Sequence, residues 1–173
     1  MIRTALVFGT ISGVIVIAGI LATIMMPNAP HSVLLGYAIM IVALSMILFG
    51  VKRYRDAELG GVIKFLPALG LGLMIAVVAG LIYVVVWEAY LYLTHYSFMD
   101  QYTAAILAKK KAEGLSGPAL AAQIAQLNEM KREYANPFYR AGMTFMEIFP
   151  VGLLIALISA ALLRNPRMLP ARG

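Results

Sequence analysis

FLPALGLGLMIAVVAGLIYVVVWEAYLYL, residues 65–93, decides the fold. After Lys64 the run carries no charge until Glu88, and aliphatic, small or aromatic residues fill almost every other position. A helix needs about 20 such residues to cross about 30 Å of hydrocarbon. An open strand in lipid would leave its backbone N–H and C=O groups unpaired, so helix is the only sensible reading. Three more runs have the same character: about 5–26, stopped by Pro27 and Pro30, about 33–51, and about 143–163. The expected fold is an all-α membrane protein, an antiparallel bundle of four transmembrane helices.

The composition agrees. Of 173 residues, 62% are hydrophobic and 13% charged, against about 45–50% and about 25% in an ordinary soluble domain. A chain this short has too little interior to hide that much apolar surface from water. A disordered chain is excluded, and a soluble globular one nearly so. The absence of cysteine removes disulfides, thiolate metal sites, iron–sulfur clusters and a cysteine nucleophile. A formal charge of +6 does not point to nucleic acid here, because the basic residues flank the apolar runs, where they govern topology. The first run exceeds the about 7–15 residues of a signal-peptide core, and MPNAPHS after it offers no convincing cleavage site, so it reads as a retained anchor.

The loops give an orientation. VKRYRDAELGGVIK, between spans two and three, holds Lys52, Arg53, Arg55 and Lys64, whereas PNAPHS between spans one and two holds neither Lys nor Arg. Arg3 precedes the first span, and Arg164, Arg167 and Arg172 follow the fourth. The positive-inside rule then places both termini and the second loop in the cytoplasm, and residues 97–136 outside. Lys109, Lys110, Lys111, Lys131, Arg132 and Arg140 in that outer segment weigh less, because long translocated segments follow the rule weakly. Lys52, Arg53 and Arg55 read as topology anchors, with anionic headgroups as a second reading.

The outer segment 97–136 reads as a helical hairpin. Ser97 and Asp100 have the spacing of a capping box, Gly114 stops the first helix, and Ser116 and Pro118 begin a second. Leu120, Ile124, Leu127 and Met130 repeat along one face, and Asn136-Pro137 ends it. That face packs on its sister helix or docks a partner protein. With no Pro or Gly from Leu81 to Lys111, the pattern also allows the third span to run outward as one helix of about 45 residues, about 70 Å long. Trp87, Tyr90, Tyr92 and Tyr96 read as an interfacial aromatic belt.

Small residues recur every four positions: Ala5, Gly9 and Gly13; Ala68, Gly72, Ala76 and Gly80; Gly152, Ala156 and Ala160. In lipid, close backbone approach and dispersion hold helices together, so Gly9, Gly13, Gly72, Gly80 and Gly152 mark helix-packing faces, either inside one bundle or between copies. Glu88 and Glu147 are the carboxylates within the apolar runs. With His95, Tyr92 between Glu88 and His95, and with His31 and Asp100 on the same side, they form a candidate polar cluster for a proton or small cation. The structural alternative has the two glutamates bonding Tyr, His95 or Arg140 and fixing helix register. Two His and two carboxylates are chemically compatible with zinc, but no ligand spacing supports a metal site. Pro150 frees a backbone carbonyl and can kink the fourth span. No phosphate-cradling glycine loop, nucleophile elbow, HExxH or Walker pattern is present, so neither a catalytic site nor a cofactor is expected.

YAIMIVALSMILFGVKRYRD (37–56), the glycine pair 60–61, LIYVVVWEAY (81–90), FMDQY (98–102) and MTFMEIFPVGLLIALISAALLR (143–164) resemble the bacterial four-span inner-membrane proteins classed as domain-of-unknown-function family 4199. The resemblance covers about residues 5–164 and implies the four-span layout without supplying an activity. The expected role is association with a second copy or with another membrane protein, as an accessory subunit. The alternative is a transporter or channel component using Glu88, Glu147 and His95.

Overall fold

The computed structural model describes residues 1–25 and 33–170. His31, Pro27 and Pro30 lie outside the described residues. The described residues form helices joined by turns, with no strand among them: α1 (Ile2–Met25), α2 (Val33–Leu44), α3 (Met46–Glu58), α4 (Phe65–Leu93), α5 (Phe98–Ala112), α6 (Gly117–Ala135) and α7 (Pro137–Leu163). Four stretches are long and apolar enough to cross a membrane, Ile2–Ile24, Leu34–Glu58, Phe65–Leu93 and Pro137–Leu163. The protein is an all-α membrane protein with four spans and a helical hairpin, α5–α6, between the third and fourth.

Packing divides the chain into two units, Met1–Val85 with Phe145–Gly173, and Val86–Thr144. Val85 lies about 21 residues beyond Lys64, and Phe145 about 19 before Arg164, which is about 30 Å in each case. The division therefore falls where α4 and α7 have each run the thickness of a hydrocarbon core.

In the first unit the glycines set the geometry. A methyl at Gly9 would lie 2.5 Å from Val78 Cβ, and one at Gly13 2.8 Å from the Ala79 carbonyl oxygen. Contacts advance together along α1 and α4, so these two run parallel. A methyl at Gly72 would meet Ala156 Cβ at 2.9 Å, one at Gly152 would meet Ala76 Cβ at 2.8 Å, and one at Gly80 would meet Phe145 at 2.6 Å. Here one number rises as the other falls, so α4 and α7 are antiparallel. With Ala68, Ala156 and Ala160 fully buried beside them, the small-residue rows form the seams of the bundle.

The second span is interrupted. Ser45 separates α2 from α3, although its own φ and ψ of −57° and −20° stay helical. Ser45 Oγ donates to the Val42 carbonyl at 2.6 Å, and the buried Ser12 Oγ of α1 donates to the Ala43 carbonyl at 3.1 Å. Hydroxyls thus serve backbone oxygens at an irregular point where lipid offers no water. The sequence pattern, uniformly apolar from about 33 to 51, gave no sign of this break.

The third span does not continue into the hairpin. At the end of α4, His95 N–H donates to the Tyr92 carbonyl at 3.1 Å and Tyr96 N–H to the Leu91 carbonyl at 2.7 Å. This is the Schellman pattern of helix termination. His95 and Tyr96 sit at φ 54° and 57°, a left-handed conformation that side chains other than glycine's resist. The third span thus ends at Leu93 and the hairpin begins as a separate helix, α5; the alternative of one continuous helix of about 45 residues does not hold, because hydrogen bonding and packing end α4 in a sequence without Pro or Gly.

In the second unit, α5 and α6 pack together, and an ion pair between Lys131 and Asp100 links them. Ser97 does not close a capping box: its hydroxyl accepts from Gln101 Nε2 at 3.3 Å, and its side chain makes no cap. Gly114, at φ 90°, ends α5. One turn earlier, Lys110 Nζ donates to Glu113 Oε2 at 2.9 Å; that hydrogen bond and the ammonium's charge hold the exposed carboxyl below its usual range. Asn136 closes α6 and opens α7, its Oδ1 accepting from the N–H of Phe138 at 3.0 Å and of Tyr139 at 3.4 Å. Pro137 follows at the first helical position, which suits its fixed φ. The helix that carries the fourth apolar run is α7, which starts at Pro137, six residues before Met143, and Pro150 lies inside it without ending it.

Candidate functional site

Of the four residues read as a candidate polar cluster, Glu88, Tyr92 and His95 belong to the second unit and Glu147 to the first. Tyr92 is 71% exposed and His95 is exposed as well. Among the described residues, no group of three or more His, Asp or Glu is placed to hold a metal ion.

Glu88 belongs to the second unit and is bound on both oxygens by one guanidinium. Arg140 Nε donates to Glu88 Oε1, and Nη2 to Oε2, each at 2.6 Å. Arg140 Nη1 donates to the Tyr134 carbonyl at 3.0 Å. The guanidinium carbon lies 5.1 Å from the centre of the Tyr96 ring and 5.6 Å from that of Tyr134. Trp87 Nε1 donates to the Tyr134 hydroxyl at 2.8 Å, and the Trp87 ring meets Phe98 edge-on at 4.9 Å. The Arg140 side chain is 5% exposed and that of Glu88 29%. A bidentate guanidinium–carboxylate link fixes geometry as well as charge, so it holds its two helix segments in register. Trp87 and Tyr96, read from sequence as an interfacial belt, are members of this knot. Arg140 was legible as a partner for Glu88; Tyr134 was not, because an aromatic residue late in a polar helix carries no mark of what it meets.

Glu147 belongs to the first unit. Its side chain is exposed on α7, between Met146, which is 60% exposed, and the buried Ile148. Its Oε2 accepts from the hydroxyl of Tyr83 at 3.3 Å. About 25 Å of helix separates it from Arg164, so it lies just inside the hydrocarbon boundary on the side away from the basic ends. A carboxylate at such a place is unfavourable by several kcal/mol unless protein or water covers it.

The five glycines of the small-residue rows face neighbours in their own chain, at the separations given above. Arg55 has a structural role. It is fully buried, and its Nη1 and Nη2 donate to the carbonyls of Met168 at 3.1 Å and Leu169 at 2.5 Å, while Nε donates to Asp56 Oδ1 at 2.7 Å. Lys52 pairs with the same Asp56. The basic cluster read as a topology anchor thus also fastens the segment after α7 to the end of α3. Sequence spacing could not give this, because the acceptors are backbone oxygens more than a hundred residues away.

A family model described as "Protein of unknown function (DUF4199)" matches residues 7–165. No curated protein and no solved structure matches the chain.

Proposed function

We propose, from the premise that this chain belongs to the DUF4199 family of proteins of unknown function, that it is a non-enzymatic membrane protein acting by association in the plane of the bilayer. The association is with a second copy or, as an accessory subunit, with another membrane protein. The observation that carries this reading is Glu147, an ionisable side chain left exposed on a span with Tyr83 as its hydrogen-bonding neighbour. A partner helix covering that face would remove the carboxylate from lipid. Met143 and Met146, 52% and 60% exposed, are adaptable neighbours for such a contact. The proposed setting is a bacterial inner membrane, with both termini cytoplasmic and residues 97–136 outside.

The alternative, proton or cation handling by Glu88, Glu147, His95 and Tyr92, has less support, since Arg140 occupies both oxygens of Glu88.

The test uses the absence of native cysteine. Met146→Cys, oxidised in native membranes, is expected to give an adduct of twice the monomer mass, or a heavier one containing another membrane protein. Ile11→Cys, on an exposed face of α1, should stay monomeric. Adding Glu147→Leu to the Met146→Cys chain should abolish the adduct. Absence of an adduct at 146, or equal adducts at 11 and 146, overturns the reading.

A further inference from the structure

A cavity of about 360 Å3 opens beside Arg140 within the second unit. Its wall carries two cations, Lys131 and Arg140, one carboxylate, Asp100, the rings of Tyr96 and Tyr134, and apolar surface that includes Met99. Arg140 is 4% exposed, and a guanidinium has five N–H groups. Two go to Glu88 and one to the Tyr134 carbonyl, which leaves donors on the terminal nitrogens. Lys131 and Asp100 pair with each other at the open side, their side chains 38% and 68% exposed.

A simple anion entering here meets Asp100, and a simple cation meets Lys131 and Arg140. A zwitterion with a phosphate and an ammonium satisfies both signs, and an ammonium gains further from the faces of tyrosine rings. The cavity reaches from Leu91, near the end of α4, to Arg140, in the first turn of α7. That is the level of the interfacial aromatic residues, where lipid headgroups lie. Tyr96 is held in the wall by a backbone with φ 57°, next to His95 at φ 54°.

We propose that this cavity binds a phosphoethanolamine zwitterion, with the phosphate between Lys131 and Arg140 and the ammonium at Asp100 against the tyrosine rings. The group comes from phosphatidylethanolamine or from a soluble phosphoethanolamine ester.

The full-length protein in neutral detergent is titrated with phosphatidylethanolamine, phosphatidylglycerol and phosphatidylcholine and followed by native mass spectrometry. O-phosphoethanolamine is titrated separately by calorimetry. Phosphatidylethanolamine should bind up to about fivefold more tightly than phosphatidylglycerol, the upper scale for one exposed charge contact, and more tightly than phosphatidylcholine, whose quaternary ammonium has no N–H to donate to Asp100. Asp100→Asn should remove that preference over phosphatidylglycerol. Lys131→Gln should weaken all three, and Lys131→Arg should restore them. Because the Asp100–Lys131 pair joins α5 to α6, each variant is first shown to keep the parent's helical circular dichroism and thermal midpoint. O-phosphoethanolamine binding as tightly as the lipid assigns the soluble source; lipid binding alone assigns the membrane. Equal binding of the three lipids by the parent, or an unchanged preference in a folded Asp100→Asn protein, overturns the proposal.

Discussion

His95 and Gly114 hold the same position in two copies of one motif. Each follows its helix's last turn in a left-handed conformation, at φ 54° and 90°. In each case the next N–H reaches back five residues, Tyr96 to Leu91 and Leu115 to Lys110. Glycine adopts this backbone without strain, whereas a residue with a Cβ pays about 1–2 kcal/mol. His95→Gly is therefore expected to stabilise the protein by about 1 kcal/mol, read as a rise in the denaturant midpoint in detergent. An unchanged or lowered midpoint would mean that the imidazole makes a contribution of its own. Gly114 is readable as a helix stop from sequence alone, but His95 is not. Nothing local marks a histidine that packing and hydrogen bonding have forced to act like glycine.

At the scale of elements, the bundle is a set of close approaches. Phe145 comes to 2.6 Å of where a Gly80 methyl would stand, whereas a methyl at Gly70, also on α4, would meet nothing within 4 Å. Gly80→Leu is expected to disrupt the bundle, and Gly70→Ala to leave the thermal midpoint unchanged or slightly higher, since alanine favours helix. Folded yield and midpoint in detergent check both. Equal effects at the two sites would mean that α4 and α7 do not meet at Gly80. The periodic small residues announced that helices touch. They did not say which pairs touch, because a four-residue repeat looks the same in a seam within one chain and in one between chains. The break at Ser45 was equally hidden: it rests on hydroxyl-to-carbonyl bonds, one of which comes from α1.

At the scale of the whole molecule, charge is uneven. Eight of the fourteen Lys and Arg lie outside residues 86–144, at positions 3, 52, 53, 55, 64, 164, 167 and 172, with Asp56 and Glu58 nearby as partial compensation. Residues 86–144 carry the other six against five acids. The proposed orientation, which follows the positive-inside rule, puts the end with Lys52 and Arg164 in the cytoplasm. Ser116→Cys, between α5 and α6, should then react with a membrane-impermeant maleimide on intact spheroplasts. Leu59→Cys should react only after lysis. The reverse pattern would invert the orientation.

Length and hydropathy by themselves determined that this chain crosses a bilayer four times, because burial in lipid is a condition each 20-residue segment meets or fails alone. The same holds for the helical hairpin, whose stop signal at Gly114 is local. The partners were settled only by tertiary structure: Glu88 with Arg140, 52 residues on, Glu147 with Tyr83, 64 residues back, and Arg55 with carbonyls beyond α7. Each is a directional bond between groups distant in sequence, and its geometry exists only once the helices have taken their places.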